Sequence, residues 1–269
     1  MHGVPDLDLS AAATATLAAR VEEQQRAFGA IRYGSVFRVG AARVVLNPDA
    51  PLATANFAGT VTGSPAAAEA TLAQFPAVWA EAGLAPVILL DSPSCLPELA
   101  VVAEEDGYEA VEESAVMLLA DRAALVDDEP GILTRPVADH DSPRALAAVL
   151  ADAYGYATGV ERALADVIGQ RLDDPRVEAV VAEHDGEVVG VATAFVQADL
   201  AYVTDTGVHT DARGHRYGRA LGSAVAARCL SRGARLVWLA AEAGGQVERF
   251  WSGLGFATAY PVVTYQWRD

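Results

Sequence analysis

The strongest constraint on how this chain folds is an internal spacing. Pro86-Val87-Ile88-Leu89-Leu90, an unbroken apolar run, returns as Arg235-Leu236-Val237-Trp238-Leu239. Gly107-Tyr108 returns as Gly255-Phe256, each after a short helix and before a last extended stretch. Thr60-Val61 corresponds in the same way to Val208-His209. A near-constant offset over three landmarks implies a duplicated α+β domain. The acidic, turn-rich stretch Asp127-Asp128-Glu129-Pro130-Gly131 reads as the linker, which divides the chain into 1–126, 127–131 and 132–269.

Element order supports the duplication. In the first half, apolar positions at helical spacing cover residues 9–28, with Asp8 or Ser10 as cap. Strand-like runs follow at Ile31–Val39, Ala42–Leu46 and Thr54–Val61. Ser64-Pro65 then opens a helix over Ala66–Ala82, which Pro76 should kink or restart. Pro86–Leu90 fits a strand buried on both faces, Leu96–Glu105 a helix and Tyr108–Leu119 extended chain. The second half reads as a strand at Ile132–Arg135, a helix at Ser142–Ala153, and strands at Val177–Glu183 and Glu187–Phe195 joined by Asp185-Gly186. Next come a strand at Leu200–Val208, helix Tyr217–Ser231, strand Leu236–Ala240, helix Val247–Leu254 and extended chain over Ala257–Trp267.

Charge narrows the partners. Acidic residues outnumber basic ones 36 to 19, all of the latter arginine, for a net charge of −17. An acidic body repels phosphate backbones, so no nucleic-acid partner is expected. No apolar window is long enough to span a bilayer and no secretory signal is visible, so a cytoplasmic protein without a membrane partner is expected. Cys95 and Cys229 make neither a disulfide framework nor a metal cluster, and no metal site is expected.

Against that acidic background, the stretch Val208-His209-Thr210-Asp211-Ala212-Arg213-Gly214-His215-Arg216-Tyr217-Gly218-Arg219 carries three arginines in seven residues. It follows a strand and opens a helix. Consecutive N–H groups at the positive end of a helix, with glycines allowing close approach, make an anion site. Neither the Walker pattern nor the dinucleotide fingerprint is present, so a diphosphate ligand of another kind is wanted.

The segment resembles motif A of the GNAT superfamily of acyl-CoA N-acyltransferases, Arg/Gln-x-x-Gly-x-Gly/Ala. Arg213 matches its first position and Gly218 its last, while Arg216 stands where the family has its middle glycine. The run from Thr206 to Gly218 looks like a variant common among actinobacterial members. Phe250-Trp251-Ser252-Gly253-Leu254-Gly255-Phe256 is similar to motif B, Tyr-x-x-x-Gly-Phe. The resemblance covers about 132–269. It implies two tandem GNAT-like domains, each a mixed, mostly antiparallel twisted sheet flanked by helices. Residues 1–126 share the element order alone. Their equivalent turn, Val61-Thr62-Gly63-Ser64-Pro65-Ala66-Ala67, lacks the motif, so this half reads as a degenerate domain without the phosphate loop.

The resemblance further implies acetyl-CoA as co-substrate and an N-acetyltransferase acting on the amine of a small molecule, antibiotic-like or biosynthetic, as monomer or homodimer. Gly207, Val208, His209, Arg213, Gly214, His215, Arg216, Tyr217, Gly218 and Arg219 would line the donor, with an oxyanion donor around Gly207-Val208. Trp251 replaces the tyrosine that protonates the leaving thiolate in many members. An indole is no acid near neutral pH, so Trp251 either packs against the donor or belongs to the core. The acid is then one of Tyr154, Tyr156, Tyr202, Tyr260 and Tyr265, or the thiolate leaves unaided. An alkylammonium must lose a proton before it attacks; Asp205 is the first candidate base and Glu242 the second. Asp152, Tyr154 and Tyr156 cluster where the helix bordering the acceptor cleft ends. A non-catalytic acyl-CoA-binding module and an acyltransferase with another donor are the alternatives.

Overall fold

The computed structural model describes residues 10–50, 52–126, 129–138, 141–156 and 160–268. The chain divides into two compact units. Of the described residues, the first holds 10–117 together with Ala240–Arg249 and 258–268, and the second holds Leu118–Leu239 and Phe250–Ala257. Asp127 and Asp128 of the expected linker lie outside the described residues.

In the first unit, α1 (Ala11–Gly29) starts where the Ser10 hydroxyl accepts the Ala13 N–H. Strand β2 (Ala42–Leu46) has the bounds read from sequence, while β1 (Ser35–Val39) and β3 (Phe57–Gly59) are shorter than their runs, β3 because 53–55 turns as a short 3₁₀ segment. The expected helix over 66–82 is two: α2 (Pro65–Leu72) and α3 (Phe75–Glu81). Pro76, which cannot donate to a continuing helix, starts the second one. Then follow β4 (Ile88–Asp91), α4 (Leu99–Glu105) and β5 (Tyr108–Leu119).

The second unit runs β6 (Leu133–Pro136), α5 (Pro143–Tyr154), α6 (Val160–Leu172), β7 (Val177–His184), β8 (Glu187–Gln197), β9 (Leu200–Val208) and α7 (Tyr217–Ser231). Helix α6 has no counterpart among the elements read from sequence. Both residues of the β7–β8 turn, Asp185 and Gly186, have positive φ (51° and 84°), as the preferred hairpin turn demands. The chain finishes with β10 (Leu236–Glu242), α8 (Gln246–Ser252) and β11 (Phe256–Trp267).

Strand pairing explains the unit boundaries. In the second unit the order is β10-β9-β8-β7-β6, antiparallel except for the parallel pair β9/β10. In the first unit it is β1-β2-β3-β4-β11-β5, with β3/β4 parallel. Strand β11, expected with the C-terminal half, pairs with β4 through Val263–Asp91, Thr264–Leu90, Tyr265–Leu89 and Gln266–Ile88. Tyr265 is buried in the first unit's core with Phe75, Trp79, Leu89, Leu99 and Tyr108. Both units are therefore mixed, mostly antiparallel sheets with helices packed on them. Among the described residues no helix is long and apolar enough to cross a membrane.

Candidate functional site

The site grows out of an irregularity in β9. Val191 faces Gly207 across the β8/β9 ladder and Thr193 faces Thr204, so Asp205 and Thr206 together oppose the single residue Ala192. This is a β-bulge, with Asp205 held at φ 43°. Past the bulge, the His209 N–H bonds the Val189 carbonyl at 2.8 Å. That makes 189/209 a bonded pair and 190/208 a non-bonded one, so the Val208 N–H points away from β8. On that other edge, β10 pairs only through Leu236–Trp238 against Leu200–Tyr202. The upper part of β9 therefore offers backbone donors outside any ladder. Gly207 is buried, and an added Cβ would sit 2.8 Å from the Ala153 Cβ, so the glycine allows α5 to close on the strand.

Next comes the loop into α7. Its N-cap, Arg216, is left-handed (φ 65°) and makes no side-chain cap. The first N–H bonding back into the helix is that of Ala220, to the Arg216 carbonyl at 3.1 Å. The N–H groups of Tyr217, Gly218 and Arg219 are thus the free donors of a helix start. Gly214 (φ 83°) is exposed with open space where a side chain would stand, and His215 and Arg216 are also exposed. Gly218 lies under the Phe250 ring, 3.5 Å from where a Cβ would be.

Several residues grouped with this loop by sequence face elsewhere. The Arg213 guanidinium donates to the Ala153 carbonyl (2.7 Å), at the negative end of α5. Tyr217 is buried with its hydroxyl 2.8 Å from His184 Nδ1, so only its backbone faces the loop mouth. Asp152 accepts from the Thr210 N–H (2.6 Å) and hydroxyl (3.0 Å), and lies 3.5 Å from His209 Nδ1. The Thr210 N–H above all holds the Asp152 carboxyl below the usual carboxylate range. Asp152 and His209 therefore pin the chain ahead of the loop. Trp251 is buried, edge-on to Phe250 and to Phe256 at 5.2 Å each, with its ring over Gly222. It is a core residue of the second unit.

Around the bulge lies a polar group. Arg171 of α6 donates to Asp205 Oδ2 at 2.8 Å, and the Thr193 hydroxyl is 3.4 Å from the same oxygen. The Tyr154 hydroxyl donates to the Thr206 carbonyl at 3.1 Å. Tyr154 and Tyr156 present exposed rings with centroids 5.6 Å apart. Enclosure of its hydroxyl end, and secondarily Asp205, push the Tyr154 phenol above its ordinary value; the same two causes raise Tyr156. Of the other tyrosines considered, Tyr202 is buried and stacked on Trp238 (4.1 Å), while Tyr260 and Tyr265 are buried in the first unit. Glu242 is exposed at the end of β10, in the part of that strand that belongs to the first unit. Burial pushes the Cys95 thiol up to about 11 and that of Cys229 to about 12, which leaves both inert near neutral pH.

Sequence reasoning missed three residues. Glu129 places its carboxylate 3.4 Å from Arg216 Nη1 and 3.1 Å from Arg219 Nε. As one acidic residue in an acidic linker it carried no signal. Arg171 sits on the unread helix α6, whose buried face of Leu164, Val167, Ile168 and Arg171 has helical spacing and was legible. Phe250 lies in motif B without an assigned role.

Comparison with known proteins agrees with this geometry. Residues 145–256 match the acetyltransferase (GNAT) family. A GCN5-related N-acetyltransferase from Kribbella flavida superposes with TM-score 0.74 at 20% identity, covering 94% of this chain and 96% of that one. A conserved protein of unknown function from Staphylococcus epidermidis gives 0.67 at 13% identity, covering 89% and 95%. A tandem GNAT protein from the clavulanic acid biosynthesis pathway gives 0.63 at 16%, covering 90% and 86%. These likenesses show the fold. No curated protein matches the sequence.

Proposed function

We propose that the second unit catalyses transfer of an acetyl group from acetyl-CoA to the amine of a small molecule by direct attack, and that the first unit takes no CoA. The observation that carries this reading is the uncapped start of α7 directly beyond a bulged strand with an open edge. The donor set fits a pyrophosphate: free N–H groups of Tyr217, Gly218 and Arg219, room at Gly214, and His215, Arg216 and Arg219 around them. When bound, the donor supplies a thioester whose carbonyl is open to an amine.

The chain's own groups then have distinct tasks. The outward Val208 N–H is the donor for negative charge developing on the carbonyl oxygen. Asp205 takes the amine proton, directly or through water; Arg171 and Thr193 both engage its Oδ2, which leaves Oδ1 for this task. Tyr154, whose phenol stays protonated near neutral pH, gives a proton to the departing sulfur in place of the buried Trp251. Tyr154 and Tyr156 form the wall that meets the acceptor. The burial of Trp251 also favours a second reading, a non-catalytic acyl-CoA binder.

Free-thiol release from acetyl-CoA across a panel of primary amines separates the two. Release with at least one amine, lowered about 10²- to 10⁴-fold in kcat by Asp205→Asn, is the expected result. A loss under about threefold takes the base role from Asp205 and gives it to solvent. CoA should raise the melting temperature through one site per chain, and Gly218→Asp should abolish that rise. Binding without release from any amine leaves the binder, and an unchanged rise in Gly218→Asp moves the donor elsewhere.

A further inference from the structure

The anion loop already holds an anion, and it is the protein's own. Glu129 comes from the segment entering β6; its side chain is 7% exposed, and its two oxygens rest on Arg216 and Arg219. A buried carboxylate is tolerated only where cations replace its lost water, and here both partners come from the loop and the first turn of α7. Arg216 itself departs from motif A. It keeps the left-handed backbone that a glycine would supply without strain, and places its side chain on Glu129. The motif departure and the buried carboxylate are two halves of one contact. Without Glu129, Arg216 and Arg219 would crowd a helix start that is itself positive.

We propose that Glu129 is a built-in counterion, which occupies Arg216 and Arg219 until the pyrophosphate of the acyl donor displaces it. Donor binding is then an exchange of anions. This rests on the reading of the loop as the donor site. An internal competitor lowers apparent affinity by the fraction of chains in which it is seated. Its release also loosens a local turn, because the Ile132 N–H bonds the Glu129 carbonyl at 3.0 Å through left-handed Gly131.

Calorimetric titration of CoA into the wild-type chain and Glu129→Gln tests the exchange. The variant should bind CoA tighter by about two- to fivefold, the scale of a partly exposed ion pair. Equal or weaker binding by the variant overturns the proposal, since Glu129 would then be holding the arginines in place for the donor. Absence of CoA binding to both chains overturns it too, and that distinct pattern removes the donor-site reading with it. Hydrogen exchange on the wild type keeps the test independent of the variant's folding. The Ile132 amide should exchange faster at saturating CoA, and unchanged or slower exchange refutes the displacement.

Discussion

Each unit has a turn from a strand into a helix at matching places in its element order, and the two turns finish differently. At the β9–α7 turn the helix begins uncapped, behind Gly214 and left-handed Arg216. At the β3–α2 turn the Ser64 hydroxyl accepts the Ala67 N–H (3.3 Å), and Pro65 in the first helical turn has no N–H to offer. The second arrangement occupies one of the N–H groups that the first leaves free and lacks another, so it offers fewer donors to an anion. The two helix starts thus differ in their free N–H groups through two residues.

The strands before the turns differ as well. Beyond its pairing with β10, β9 has an open edge. Beyond β3 the chain is tied on both sides, by the Thr62 N–H to the Ala41 carbonyl (3.1 Å) and the Leu96 N–H to the Val61 carbonyl (2.8 Å). A buried cluster seals the same region. Glu22 of α1 accepts from the Ser92 hydroxyl, from Ser94 (2.5 Å), from Thr60 (2.6 Å) and from Arg26 (3.1 Å), and Arg26 is 2% exposed. Where the second unit leaves a strand edge open, the first has this network.

Three substitutions sharpen this contrast. Glu22→Ala removes the buried partner of Arg26, leaving it the exposed Glu23 at 3.3 Å, and should cost about 3 kcal/mol of stability by denaturant unfolding, without changing CoA affinity. A cost under 1 kcal/mol would mean the closed strand ends of the first unit do not depend on the network. The matching glycines before β5 and β11 should separate next. Gly107 and Gly255 are both left-handed (φ 83° and 87°), but a Cβ on Gly255 would overlap the Asp121 carbonyl, while one on Gly107 meets only Trp267 at 3.8 Å. Gly107→Ala should cost about 1 kcal/mol and Gly255→Ala about 3 kcal/mol, strain and overpacking adding in the latter. Equal costs would show that Asp121 yields freely.

A pH-dependent effect concerns Asp91 at the end of β4. Burial, and secondarily Glu22, push its carboxyl up to about 6. Because the folded value lies above the unfolded one, the ionised carboxylate costs stability above pH 6, and the cost fades as pH falls toward 4. Asp91→Asn should therefore stabilise the chain by about 1–2 kcal/mol at pH 7.5, allowing for partial solvation, with no gain near pH 4. A gain that does not vary with pH would assign the effect to something other than this carboxyl.

Much of the architecture was determined by local sequence, because it depends on contacts between near neighbours. Ser10 and Ser64 as caps, Asp185-Gly186 as a hairpin turn, and the bounds of β9 and α7 all follow from the residues themselves. The loop into α7 was legible for the same reason: a helix start and its glycines are consecutive in the chain. Side-chain destinations were not. Arg213 reaching Ala153, Tyr217 turning to His184, Arg171 meeting Asp205 and Glu129 seated on Arg216 join residues 33 to 87 positions apart. Nothing in the spacing of β11 told that it would pair with β4 rather than stay with its own half. Such pairings are chosen by which buried charges and open strand edges the folded chain brings within reach, and those quantities exist only once the tertiary structure has formed.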